Sequence, residues 1–66
     1  MIKLTKLSNI EVTLNSDLIE FIEETPDTII TLTSGRKVVV LESVDQVIDK
    51  VVAYKRKIYS IYSAKE

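Results

Sequence analysis

The chain has neither cysteine nor histidine, and it contains one glycine and one proline in 66 residues. It therefore lacks disulfides, the usual zinc ligands, and the base of a Cys–His or Ser–His nucleophilic site. A domain this short buries only about 60% of the surface that its unfolded chain exposes. We expect no metal, no cofactor and no catalytic residues, and we expect self-association into a homo-oligomer to supply part of the stability.

Neither an excess of positive charge nor a long apolar run is present. Nine basic and ten acidic residues leave a net charge of −1, whereas nucleic-acid-binding domains usually carry a basic excess. No stretch approaches the roughly 20 apolar residues of a membrane-spanning helix, and the N-terminus lacks the apolar run of a signal peptide. These features predict a cytoplasmic protein that does not insert into a membrane and does not bind nucleic acid.

The charges are distributed unevenly along the chain. Residues 1–49 hold four basic and nine acidic residues, and residues 50–66 hold five basic and one acidic. Acidic residues concentrate in what we call the acidic segment: Glu20, Glu23, Glu24 and Asp27. Runs of charge usually form solvated faces, and they discourage unwanted strand pairing. We interpret the acidic segment as an exposed edge and as a candidate interface, not as an acid–base or metal site.

Alternating apolar and polar residues predict two short strands at the start of the chain. Residues 2–7 form the first, and Ile10, Val12 and Leu14 of the second are predicted to face the core. The intervening Asn9 tolerates the left-handed conformation of a tight turn.

The single proline and the single glycine mark turns in the part of the sequence that most strongly predicts strands. Pro26 fits a turn before a strand rich in β-branched residues, and Gly35 fits the hairpin turn before the next, equally β-branched strand. A phosphate-binding loop at Gly35-Arg36-Lys37 is the alternative. Such loops need several glycines and a helix behind them. Because one glycine is followed by a strand here, we favour the turn.

Residues 16–24 are ambiguous between strand and helix. We favour a strand that places Ile19 and Phe21 on one face and Ile22 on the other, because the apolar run is short and Pro26 soon follows it. A single helical turn over residues 16–19 remains an alternative.

After Leu41 the apolar residues recur at three- and four-residue steps, which predicts an amphipathic helix from Val44 to about Ile61. Ser43 fits the N-cap, and Gln46 completes a capping box. The sequence thus predicts one α+β domain over residues 1–66. Residues 1–42 form a small antiparallel sheet of about five short strands, residues 43–62 form the C-terminal helix, and residues 63–66 form a frayed tail.

The apolar stripe of this helix continues beyond what the sheet can cover. Strands of roughly 17–20 Å are shorter than a helix of about 27 Å. The uncovered end carries apolar and basic residues: Tyr54, Ile58, Ile61, Tyr62, Lys55 and Arg56. The cations also complement the helix dipole. We interpret this end as a candidate interface, most simply with another copy of the chain.

The sequence resembles the small flagellar FlbD family, also called the swarming motility protein SwrD family. The resemblance covers the chain nearly end to end, and it is most specific from Pro26 to Ser43. The matching positions are Met1–Leu7, Leu14–Asn15, Ile22–Glu23, Pro26–Thr28, Ile30, Leu32, Gly35, Lys37, Glu42–Ser43 and Tyr54–Arg56. The family usually has Asn-Gly in the first turn, where this chain has Ser8-Asn9.

The resemblance implies a non-enzymatic bacterial protein that supports flagellar motor power in swarming. Its implied partners are flagellar motor or stator proteins, and its implied location is the cytoplasm, at the basal body on the inner face of the membrane. No catalytic residues carry over. The alternative function is a small nucleic-acid-binding regulatory module, since basic residues and tyrosines alternate near the C-terminus.

Overall fold

The computed structural model describes the backbone of residues 1–64 and the side chains of residues 1–60. Five short strands precede one C-terminal helix, which confirms the predicted α+β fold. The elements are β1 Ile2–Thr5, β2 Glu11–Leu14, β3 Ile19–Glu24, β4 Thr28–Leu32, β5 Lys37–Val40 and α1 Val44–Ala64. Residues 65 and 66 of the predicted frayed tail lie outside the described residues. The side chains of Ile61 and Tyr62 are also outside the described part of the chain.

The strands form two antiparallel sheets that touch at one corner. β1 pairs with β2, and β3, β4 and β5 pair in that order. Lys6, just after β1, forms an antiparallel bridge with Val40 of β5, and the N–H of Leu41 donates to the carbonyl of Thr5 at 2.8 Å. This junction ties the end of β1 to the end of β5.

Both predicted tight turns have the left-handed backbone that the sequence indicates. Asn9 has φ 65° and Gly35 has φ 88°. The N–H of Gly35 donates to the carbonyl of Leu32 at 2.8 Å, and the N–H of Leu32 donates to the carbonyl of Arg36 at 2.8 Å. A Cβ atom added to Gly35 would meet nothing within 4 Å. Glycine is therefore required at this position by its backbone conformation and not by crowding.

Residues 16–24, which the sequence left open between strand and helix, contain a helical turn followed by a strand. A 3-10 helix spans Ser16–Leu18, and the side chain of Asn15 caps it by accepting from the N–H of Asp17 at 3.0 Å. The strand β3 follows, with a break in register between Ile19 and Phe21. This irregularity changes the predicted faces: Ile19 and Ile22 pack against the core, whereas Phe21 is 57% exposed. The predicted pairing of Ile19 with Phe21 on one face was wrong, because it assumed unbroken alternation.

Ile10 also departs from the prediction, since its side chain is 63% exposed. It precedes β2, and its carbonyl accepts the N–H of Lys6 within the hairpin connection at 2.9 Å. Because Ile10 lies outside the strand, the alternation that turns Val12 and Leu14 towards the core does not orient it.

The core lies between the sheets and the first turns of α1. It consists of Ile2, Leu4, Leu14, Ile30, Leu32, Val40 and Val47. The helix packs on β1 and β3, and the predicted capping box fixes its start. The N–H of Gln46 donates to Ser43 Oγ at 3.2 Å, and the N–H of Ser43 donates to Gln46 Oε1 at 2.8 Å.

Candidate functional site

The end of α1 is the first candidate surface, and the structure divides its predicted residues into two groups. Tyr54 is half-buried and packs against the chain's own core. One turn later Ile58 is half-buried and Tyr59 is 74% exposed. Together with Lys55, Arg56 and Ser60 they line a shallow, mainly apolar hollow of about 570 Å³. We call residues 55–60 the helix end. The predicted interface did not include Tyr59, which lies beside the apolar stripe of the helix and was considered only among the tyrosines that alternate with basic residues.

Lys55 has a partner within the chain. Its ammonium group donates to the carboxylate of Asp17 in the 3-10 helix. This hydrogen bond, and then the charge of Lys55, lower the pKa of Asp17 below its usual value. Both side chains are more than half exposed, so the pair orients the helix without contributing much stability. It also leaves Lys55 less available to a partner than the sequence suggests.

The acidic segment is dispersed around the end of β3. All four residues are exposed, and Glu24 also has a partner within the chain, since its Oε1 accepts the N–H of Val44 at 3.0 Å. Glu24 thereby satisfies one of the unpaired N–H groups at the start of α1, where a negative charge is also favourable. Across the described residues, no group of three or more acidic side chains is arranged to hold a metal ion.

The face of the three-stranded sheet that points away from the core is partly apolar. In one row across the strands Ile29 lies between Glu23 and Val39, and in the neighbouring row Thr31 lies between Phe21 and Lys37. We call these six residues the outer face. Phe21 is largely exposed, and Ile29 and Val39 are half-buried. This face continues towards the junction between the two sheets.

A cleft of about 370 Å³ opens at that junction. Its lining consists of Lys6, Leu7, Ser8, Arg36, Lys37, Val38 and Val39, and we call it the basic cleft. Sequence reasoning favoured the start of a strand over a phosphate-binding loop at Arg36 and Lys37. It had no means of placing Lys6 beside them, because the two segments are separated by the whole of β2, β3 and β4.

Glu42 makes the most extensive side-chain hydrogen bonding in the described chain. Its carboxylate accepts the N–H of Thr5 at 2.9 and 3.1 Å, and Oε2 also accepts the Thr5 hydroxyl at 2.9 Å. Partial burial acts to raise the pKa of Glu42. The hydrogen bonds from Thr5 and from the backbone N–H of Glu42, with the charge of Lys50, outweigh burial and hold that pKa below its usual value.

Comparison with known protein families shows the family of this chain. Residues 1–59 match the family described as FlbD, Flagellar and Swarming motility proteins. The chain belongs to the FlbD family. No curated protein and no solved structure matches it. Flagellar and swarming motility is therefore the setting in which this FlbD chain acts.

Several of the residues through which this chain resembles the FlbD family have structural roles. Thr5 and Glu42 are hydrogen-bonded to each other, and Gly35 forms the left-handed turn. Ser43 caps the helix. These residues shape the surfaces described above. Within the described residues, no helix is both long enough and apolar enough to cross a membrane.

Proposed function

We propose that this FlbD protein is a non-enzymatic accessory protein that supports flagellar motor power during swarming by binding other proteins. In this proposal it acts in the cytoplasm as a homo-oligomer, and its partners are motor or stator proteins at the basal body. Membership of the FlbD family supports the motility setting. The motor-power role follows the resemblance described above.

The observation that carries the proposed protein–protein binding is the projection of α1 beyond the sheets. The helix has 21 residues, or about 31 Å at 1.5 Å per residue, and the molecule measures 43 × 23 × 19 Å. Half-buried Ile58 and exposed Tyr59 lie past Tyr54, which is the last helical residue among the described side chains to pack against the core. Exposed apolar side chains gathered at one end of a small domain are typical of an interface.

Self-association is the simplest way to cover the helix end. A second copy of the chain carries the same apolar hollow. A two-fold symmetric dimer would bury the hollows of both copies against each other. The outer face offers a further apolar surface through Phe21, Ile29 and Val39. A chain of 66 residues without disulfides gains stability from either contact.

The proposed function is tested by deleting the gene in the native host and measuring three properties: filament number, swarming rate and motor torque under load. We expect normal filaments with reduced torque and slow or absent swarming, restored by the wild-type gene. Full torque and normal swarming in the deletion strain would contradict the proposal. Loss of filaments would also contradict it, because that result places the protein in assembly and not in motor power.

A further inference from the structure

The basic cleft gathers most of the positive charge of an otherwise acidic body. Lys6, Arg36 and Lys37 are three of the four basic residues among residues 1–49, a segment that also holds nine acidic residues. No aspartate or glutamate lines the cleft. Over the described part of the chain the only salt bridge joins Lys55 to Asp17. The three cations of the cleft are therefore not neutralised by an ion pair within that part, and a concave wall concentrates their potential.

The position of the cleft depends on long-range structure. The bridge between Lys6 and Val40 joins the chain just after β1 to the end of β5, and the β1–β2 turn runs back beside that strand. The turn at Gly35 places Arg36 and Lys37 on the opposite wall. Both walls thus rest on hydrogen-bonded backbone, so the three side chains start from fixed backbone positions. A backbone that is already ordered adds no cost of loop ordering when an oppositely charged ligand binds.

The lining of the cleft is apolar between its cations. Val38 and Val39 are half-buried, and Leu7 is 53% exposed at the rim. Val39 also belongs to the outer face, so the apolar surface continues out of the cleft. Val38 packs against the core, so a ligand that uses the whole site would present carboxylates to the cations and an apolar side chain to Leu7 and Val39.

We propose that the basic cleft binds an acidic segment of a partner protein in which carboxylates flank an apolar side chain. This inference rests on the proposed function and specifies the chemistry of the partner. Arg36 can hold a carboxylate through two parallel hydrogen bonds, and Lys6 and Lys37 act as point charges beside it. The acidic stretch of the partner protein need not be folded before it binds, since the backbone of the cleft is already ordered.

The shape of the site favours a protein ligand over a membrane or a nucleic acid. A protruding side chain fits a concave site, whereas a membrane surface is usually met by a protruding apolar or basic element. Nucleic acid binding usually requires a long basic track that follows the phosphate backbone. The cleft has three cations in one cavity of about 370 Å³.

The test titrates the full chain with a synthetic peptide that repeats the pattern glutamate, glutamate, leucine. Binding is measured from the amide chemical shifts of the protein at physiological salt. We expect saturable shifts concentrated at residues 6–8 and 36–39. The double variant Arg36→Glu/Lys37→Glu should bind about tenfold more weakly, because it replaces two attractive charges with repulsive ones. The matched control Lys3→Glu/Lys57→Glu makes the same charge change at exposed residues outside the basic cleft and outside the lining of the helix-end hollow, and it should bind within about twofold of the wild type. A dispersed amide spectrum verifies that each variant is folded.

Three results would overturn the inference. These are equal weakening by both double variants, equal binding of a peptide with glutamine in place of glutamate, and binding to phosphatidylglycerol vesicles without binding to the peptide. The outcome is separable from that of the gene deletion. If deletion abolishes swarming but the peptide does not bind, only the assignment of the cleft fails. If the peptide binds but deletion leaves swarming normal, the motility role fails and the acidic-ligand site stands.

Discussion

Thr5 and Glu42 join the first strand to the start of the helix, with Glu42 accepting both the backbone N–H and the hydroxyl of Thr5. Both residues belong to the segments that carry the resemblance to the FlbD family, yet they are 37 positions apart in the chain. The bond lies next to the Lys6–Val40 bridge that forms the basic cleft. Glu42 is thus a structural carboxylate, and its charge state controls part of the stability of the fold.

The pKa of Glu42 is lowered in the folded chain, so its ionised form stabilises folding. This contribution is present above the unfolded pKa of about 4.3 and is lost as the pH falls through the lower folded value. Glu42→Gln should therefore destabilise the protein by about 1 kcal/mol at pH 7, and the difference should vanish in acid. Thermal melts between pH 7 and the lowest pH at which the protein folds measure both effects.

The control for Glu42→Gln is Glu20→Gln, because the Glu20 side chain is exposed and makes no hydrogen bond among the described residues. It should leave the melting temperature nearly unchanged at pH 7. If Glu42→Gln were as stable as the wild type at pH 7, the hydrogen bonds to Thr5 would not contribute to folding.

Gly35→Val tests the β4–β5 turn. A β-branched residue at φ 88° is strained, and we expect a loss of about 1–2 kcal/mol in the free energy of unfolding. Thr33→Val is the matched control, since it places valine in the same turn at a residue without a positive φ. Urea unfolding of the two variants gives the comparison, and equal stability would mean that the backbone at position 35 is not left-handed.

Ile58→Asp tests self-association through the helix end. It places a charge in the apolar hollow, whereas Lys57→Asp changes a neighbouring exposed residue outside the lining. We expect the wild type to sediment as an oligomer at low micromolar concentration and Ile58→Asp to dissociate at least about tenfold more readily than Lys57→Asp. A wild-type protein that sediments as a monomer would refute self-association at this concentration.

Binding to nucleic acid is the fourth test. The net charge of −1 and the pairing of Lys55 with Asp17 both oppose it. We expect no salt-sensitive binding of duplex or single-stranded DNA or RNA at physiological ionic strength. Fluorescence anisotropy with labelled oligonucleotides makes the measurement. Sub-micromolar binding with a steep salt dependence would instead support the regulatory-module alternative.

The parts of the fold that depend on neighbouring residues were predictable from the sequence. The left-handed turns at Asn9 and Gly35 and the capping box at Ser43 follow from the preferences of single residues and from short spacings. The buried positions Ile2 and Leu4 follow from strand alternation. Each of these features is decided within a few residues of the chain.

The parts that depend on distant residues were not predictable from one sequence. The hydrogen bond from Val44 to Glu24 and the placement of Lys6 beside Arg36 each join segments far apart in the chain. Alternation also fails at β3, where the break in register after Ile19 turns Phe21 outwards. The candidate surfaces follow from these distant contacts, so the sequence predicted the helix end but missed the basic cleft.

The junction between the two sheets has a consequence for how the chain matures on the ribosome. Lys6 is synthesised long before Val40, and Thr5 long before Glu42, so the first hairpin emerges without the strand and the carboxylate that secure it. Contacts that close such long loops form late and slow the folding reaction. We therefore expect Ile2 and Leu4 of the nascent chain to stay unburied until residues 40–47, which complete the core, have left the ribosome.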